Sequence, residues 1–285
     1  MTAKRKKRRT RADVEEIKAV AREELQAANP MTLRQVHYRI VARADTTYTN
    51  TQGDYNQLSK WLVQERLSGA IPWEWIEDRL RKPRHVNMFG DLEEFVEIVR
   101  HSYRRDVWTG QPDYLEVFVE KDALSAIFED ALGSYGVTLN VGRGYSSWSS
   151  IKAAADRFDG GGTILYFGDF DPSGEDMVRA LEASLANPDL PGGGSFPTVI
   201  KCALTPEDID AYSLPPDFTK ATDTRQAAFV ARYGDVAVEL DALPVAVLRE
   251  RIVREVETRM DGDALEETRR QEREDRERLN GILGD

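Results

Sequence analysis

Residues 163–177 read TILYFGDFDPSGEDM. Five apolar, strand-prone residues, Thr163 to Phe167, end in two aspartates one residue apart, and Pro172, Ser173 and Gly174 follow. Behind them GEDMVRALEASLA has the spacing of an amphipathic helix, with Pro172 at its opening. The stretch therefore predicts a buried strand, a sharp turn and a helix, with Asp169 and Asp171 at the carboxyl end of the strand. A spacing of two lets both side chains point the same way in extended backbone. Two such close carboxylates repel unless a cation or a proton neutralises one of them. Asp171 also stands where a helix cap belongs, which accounts for one aspartate but not for Asp169.

Similar units lie on either side. LEVFVE (115–120), VTLNV (137–141) and PTVIKCAL (197–204) read as strands. DALSAIFEDAL and SSIKAAADRF, between them, read as helices. This alternation predicts an α/β fold, a small Rossmann-like domain with a mostly parallel sheet over residues 111–260. VAVEL (236–240) reads as a further strand and residues 245–260 as a helix. In such a sheet the carboxyl ends of the strands face the ligand crevice. Glu120 ends one strand and reaches the same edge as the aspartates, with a structural pairing to Lys121 as its plainer use. Glu120, Asp169 and Asp171 together offer oxygen-only ligation suited to Mg2+ or Mn2+. Glu175, in the first turn of a helix, and Glu239 are further candidates.

Ahead of residue 111 the pattern is helical. Residues 12–28, 33–44 and 54–69 carry helix periodicity, and AIPWEWIEDR (70–79) reads as a wing-like extended piece. Residues 12–110, which also hold an amphipathic helix over 91–107, are expected to form a winged helix-turn-helix that binds duplex DNA. Gln57, Lys60, Gln64 and Arg66 lie on the polar face of the third helix and suit phosphate and groove contacts. Residues 1–11 form a basic, disordered tail in which Lys4, Arg5, Lys6, Lys7, Arg8 and Arg9 can neutralise phosphates. The net charge is −11, but residues 1–110 hold 21 Lys and Arg against 16 Asp and Glu. The basic front and acidic rear suit a protein that offers one end to a polyanion. Residues 261–285 read as an exposed, charged C-terminal helix. A single cysteine, Cys202, excludes an internal disulfide, and no apolar run is long enough to span a bilayer. A cytoplasmic protein without membrane contact is expected.

VEKDAL (119–124) followed by GDFDPSGED (168–176) resembles the Glu and Asp-x-Asp motifs of a Toprim domain. Upstream stands R34-Q-V-H-Y38; downstream come L204-T-P-E, L214-P-P and E239-L-D-A-L-P. This order resembles the topoisomerase VI A subunit and meiotic double-strand-break protein family, together with the related plasmid-defence nucleases. The resemblance covers roughly residues 30–255. It implies Mg-dependent DNA strand cleavage, with Tyr38 as nucleophile, Arg34 and Glu120 as its catalytic companions, and a homodimer as the working unit. Gln35 and His37 depart from that family's Arg-Glu-x-Tyr-Tyr pattern. The glycine-rich runs of the chain lack the Lys-Ser/Thr of a phosphate-binding loop, so a separate ATPase subunit is implied. The plasmid-defence branch implies instead a hydrolytic nuclease without a covalent intermediate. A DNA-binding module that has lost catalysis is the remaining alternative.

Overall fold

A computed structural model of the chain describes residues 9–43, 45–77, 87–142, 148–158, 161–190, 197–216 and 223–284. Helix α1 (Arg11–Ala27) starts at a reciprocal cap. Asp13 N–H donates to Thr10 Oγ1 at 3.2 Å, and Thr10 N–H donates to the Asp13 carboxylate at 2.7 Å. The two-residue strand β1 (Met31–Thr32) leads into α2 (Leu33–Val41), which Thr32 and Gln35 cap in the same manner. Helix α3 (Gln52–Leu67) begins on Thr51. The three helices close over Ile17, Leu25, Val36, Ile40, Leu58 and Leu62. A single 3-10 turn, Trp73–Trp75, then leads to β2 (Ile76–Glu77), which pairs in parallel with β1. The expected wing is therefore met by a parallel two-residue pairing up to Glu77; residues 78–86 lie outside the described residues.

Helix α4 (Leu92–Ser102) is shorter than the expected 91–107, because the backbone turns extended at Tyr103. The sheet follows, built from β3 (Leu115–Val119), β4 (Thr138–Val141), β5 (Thr163–Phe167) and β6 (Thr198–Ala203). Its order is β4-β3-β5-β6 and every pairing is parallel. Between the strands run α5 (Ser125–Leu132), α6 (Trp148–Arg157) and α7 (Pro172–Leu185). The remaining helices are α8 (Pro206–Ala211), α9 (Gln226–Tyr233), α10 (Val245–Glu257) and α11 (Gly262–Gly284). Alternation along the strands separates two cores. Val117, Val119, Leu165 and Phe167 pack with Phe128 of α5 and Leu248 and Ile252 of α10. Phe118, Ile164 and Tyr166 pack with Ile151 of α6 and Met177 and Leu181 of α7. Both faces are covered, which is why these strands read as unbroken apolar runs.

The chain leaves β3 toward β4 on one side and returns to β5 on the other. The carboxyl ends of β3 and β5 therefore flank a switch point, where crevices open in such sheets. Residues 236–240 do not form the expected strand. Val238 makes an isolated bridge to Phe170, and a 3-10 turn, Leu240–Ala242, follows. Leu240 and Leu243 are buried three residues apart, a spacing that a turn satisfies and a strand does not. Helix α11 is less exposed than expected, since Leu265 and Thr268 are buried. Tyr103 Oη donates to Asp275 at 2.8 Å, and Arg105 pairs with the same carboxylate at 2.7 Å.

Candidate functional site

The switch point gathers what the sequence holds apart. Glu120 directly follows β3, and its amide donates to the Phe167 carbonyl of β5 at 2.9 Å. Its side chain turns toward β5, where Oε2 accepts from Tyr166 Oη at 3.2 Å and from the Asp169 amide at 3.1 Å. Gly168 makes this possible: a Cβ there would lie 2.6 Å from the Tyr166 ring and 2.7 Å from Glu120 Oε2. Phe170 is buried with Phe229 and Tyr233 and exchanges two backbone hydrogen bonds with Val238, at 2.8 and 2.9 Å. That anchor fixes the aspartate loop against the 236–243 segment.

Asp169 is buried. Its Oδ1 accepts the Leu240 amide at 2.7 Å and an ion pair from Lys121 at 3.0 Å. Burial pushes its carboxyl up to about 7, although Lys121 pulls the other way. Asp171 is the N-cap of α7, accepting the Gly174 amide on Oδ1 at 2.6 Å, with Pro172 in the first turn. Asp171→Ala is expected to cost about 1 kcal/mol in thermal unfolding, while Asp171→Asn keeps the cap and costs only a few tenths.

Lys121 does not pair with Glu120. Its ammonium lies 3.0 Å from Asp169 Oδ1, 2.8 Å from Glu239 Oε2 and 2.9 Å from Asp241 Oδ2. Burial disfavours that charge, but Asp241, Asp169 and Glu239 outweigh it and hold the lysine protonated. Glu239 is also gripped by Arg34 of α2. Burial would raise the Glu239 carboxyl, yet Lys121 and Arg34 bring it down to about 2. Arg34 and Tyr38, one helical turn apart, thus face the 236–243 segment, while Val36 and Ile40 face the three-helix core. Tyr38 is 5% exposed and belongs to the core beneath the sheet. Burial and Glu239 push its phenol above the usual range, against Lys121 and Arg34. Glu175 pairs with Lys201, which also donates to the Asp169 carbonyl at 3.0 Å, and accepts from Tyr233 Oη at 3.2 Å.

No family model matches the chain, and no curated protein matches it. The chemistry therefore rests on the residues alone. Among the described residues, no three His, Cys, Asp or Glu side chains are gathered so as to hold a metal ion between them. The point where three carboxylates do converge is taken by Lys121. The donor chemistry nonetheless suits a hard divalent ion. Glu120 Oε1, Asp169 Oδ2 and Asp171 Oδ2 each accept no hydrogen bond among the described residues.

Of the polar residues expected to meet DNA, Gln57, Lys60 and Gln64 are exposed on α3. Arg66 instead donates to the Trp73 carbonyl at 2.6 Å, with its guanidinium 4.2 Å over that indole. Arg9 is held by both oxygens of Asp54, at 2.7 and 2.6 Å. Lys4, Arg5, Lys6, Lys7 and Arg8 lie outside the described residues. No described helix is long and apolar enough to cross a membrane. Sequence reasoning passed over Asp241. The signal was present in Glu239-Leu-Asp241, which repeats the spacing of Asp169-Phe-Asp171.

Proposed function

We propose that the chain is a DNA strand-cleaving protein dependent on Mg2+ or Mn2+, with Glu120, Asp169 and Asp171 as ligands. The supporting observation is that Glu120 Oε2 accepts the Asp169 backbone amide at 3.1 Å at the switch point, while Glu120 Oε1 and Asp169 Oδ2 accept no hydrogen bond among the described residues. A divalent ion bound there supplies positive charge against the phosphate oxygens. Duplex DNA is the substrate, gripped by a winged-helix-like front through Gln57, Lys60 and Gln64 and by the basic tail. A homodimer would cut both strands, and a separate ATPase subunit fits the same reading.

Two routes to cleavage share these ligands. In the first, the Tyr38 oxygen attacks phosphorus, the bond to a sugar oxygen breaks, and the departing sugar hydroxyl takes up the proton the phenol gives up. Arg34 and Lys121 are the cations beside that phenol. In the second, a water oxygen attacks phosphorus, the same bond to a sugar oxygen breaks, and the departing oxygen takes up the proton that water gives up. The burial of Tyr38 and its raised pKa favour the second route for the chain as it stands.

Supercoiled plasmid incubated with Mn2+, quenched in detergent and run with and without protease separates these routes. Cleavage that survives Tyr38→Phe and is lost in Asp169→Ala is the expected result, and it supports hydrolysis. A protease-sensitive DNA adduct that vanishes in Tyr38→Phe supports the covalent route. An intact plasmid with the wild-type protein removes the cleavage reading for this chain and leaves DNA binding alone.

A further inference from the structure

Three carboxylates meet at one ammonium, and they arrive from separate places. Asp169 ends β5, whereas Glu239 and Asp241 come from the turn that straps the loop after it. Their oxygens surround Lys121 Nζ at 3.0, 2.8 and 2.9 Å. Asp241 is the least ordinary of the three. Its side chain is wholly shielded from solvent, and neither oxygen receives a hydrogen bond from a described donor. Its ion pair with Lys121 is its one polar contact among the described residues. A buried carboxylate without donors is strongly destabilising unless a charge faces it. Lys121 supplies that charge.

A purely structural ion pair needs one acid for one lysine. Here three acids face a single ammonium, and the second cation, Arg34, reaches only Glu239. With Asp169 ionised, three negative charges face these two cations, and the cluster holds one more negative charge than they cancel. It also shares Asp169 with the proposed metal ligands: Oδ1 faces Lys121, and Oδ2 is left over. Two cation positions therefore adjoin across one aspartate, an arrangement that in two-metal sites holds a pair of ions.

We propose that Lys121 is a tethered cation filling the second of these positions, so that the site takes one divalent ion rather than two. This rests on reading Glu120 and Asp169 as ligands of the first ion. An ammonium fixed to the chain neither dissociates nor depends on ion concentration. Removing its charge while keeping most of its bulk, as in Lys121→Met, leaves Asp169, Glu239 and Asp241 as an oxygen-only set facing one point. That is the donor set that hard divalent ions take.

The test is a count of bound Mn2+ by electron paramagnetic resonance on the full chain, without DNA. The expected counts are one ion in wild type, two in Lys121→Met and one in the double variant Lys121→Met/Asp241→Asn. Thermal unfolding gives a second readout: Lys121→Met should melt lower than wild type in chelator and recover with Mn2+. Two ions in the wild-type protein overturn the proposal, a result that stays readable if Lys121→Met fails to fold. A count of one in both wild type and Lys121→Met also overturns it, and leaves the metal reading of Glu120 and Asp169 standing. No ion in wild type but one in Lys121→Met overturns the proposal as a two-position site and removes that metal reading, leaving Lys121 as the occupant of a single cation position. No ion in either protein removes both.

Discussion

Gly174→Ala is expected to destabilise the protein by about 3 kcal/mol, the cost of overpacking against backbone that cannot move aside. A Cβ at residue 174 would lie 2.2 Å from the Asp169 carbonyl oxygen and 3.0 Å from its carbon. That carbonyl already accepts Lys201 Nζ at 3.0 Å, and the Asp169 amide donates to Glu120 at 3.1 Å. Relief of the clash must therefore either shift the start of α7, disturbing the Asp171 cap, or shift Asp169 away from Glu120. Either movement damages the candidate site, so cleavage should fall together with stability. At roughly 2–4 °C per kcal/mol for a chain of this size, the melting temperature should drop by about 6–12 °C. Gly281→Ala is the control. Its Cβ would meet nothing within 4 Å, and in helix α11 the change should stabilise by about 0.5–1 kcal/mol. Equal melting temperatures for Gly174→Ala and wild type would show that the tight approach is not structural.

The steric demand at Gly174 has a counterpart in how the site is written in the sequence. The strands were legible because burial on both faces makes TILYF and LEVFV continuous, and their alternation with helices leaves few arrangements of a parallel sheet. The meeting of Glu120 with Asp169 follows from that topology without further information. Lys121 was harder to read. Taken as the neighbour of Glu120 it looks like its partner, yet successive residues leaving a strand point to opposite faces. Glu120 goes to the side of Tyr166, whereas Lys121 goes to the side of Val119 and the 236–243 segment.

Asp241 stayed hidden for a related reason. VELDAL has strand-like composition, and only the docking of Leu240 and Leu243 into the core turns it into a 3-10 helix that carries an acid inward. Tyr38 shows a third limit. Helical periodicity places it with Arg34, but whether that face meets its own three-helix core or the sheet domain depends on contacts between distant segments. The structure gives the second answer.

Asp169→Asn is expected to melt higher than wild type at pH 8 in chelator, and to lose metal-dependent cleavage. The carboxyl is held near 7 by burial, against an ordinary 3.8. A raised value means that the folded chain binds this proton more tightly than the unfolded one. The associated stability is complete below about pH 4 and drains away as the pH rises through 7. At about 1.4 kcal/mol per pKa unit, ionised Asp169 can cost up to roughly 4 kcal/mol at pH 8. Glu239 has the opposite sign. Held at about 2 below an ordinary 4.5, it stabilises at neutral pH and loses that contribution only as the pH falls through 2. Between about pH 4.5 and 7, then, Asp169 alone of this pair tilts stability downward with rising pH. Asparagine removes that slope and can still accept the Leu240 amide. It gives up one of the three ion pairs of Lys121, which keeps Glu239 and Asp241. A net gain of about 1–3 kcal/mol at pH 8, shrinking toward pH 5, is the expected outcome in melting curves taken across that range. A difference that does not change with pH would mean that folding does not alter the proton binding of Asp169 in that range, and would remove the raised value. Added Mn2+ should raise the wild-type melting temperature and leave the asparagine variant unmoved. A charge kept in a position that lowers stability, and that a divalent ion relieves, is retained for what it binds and not for the fold.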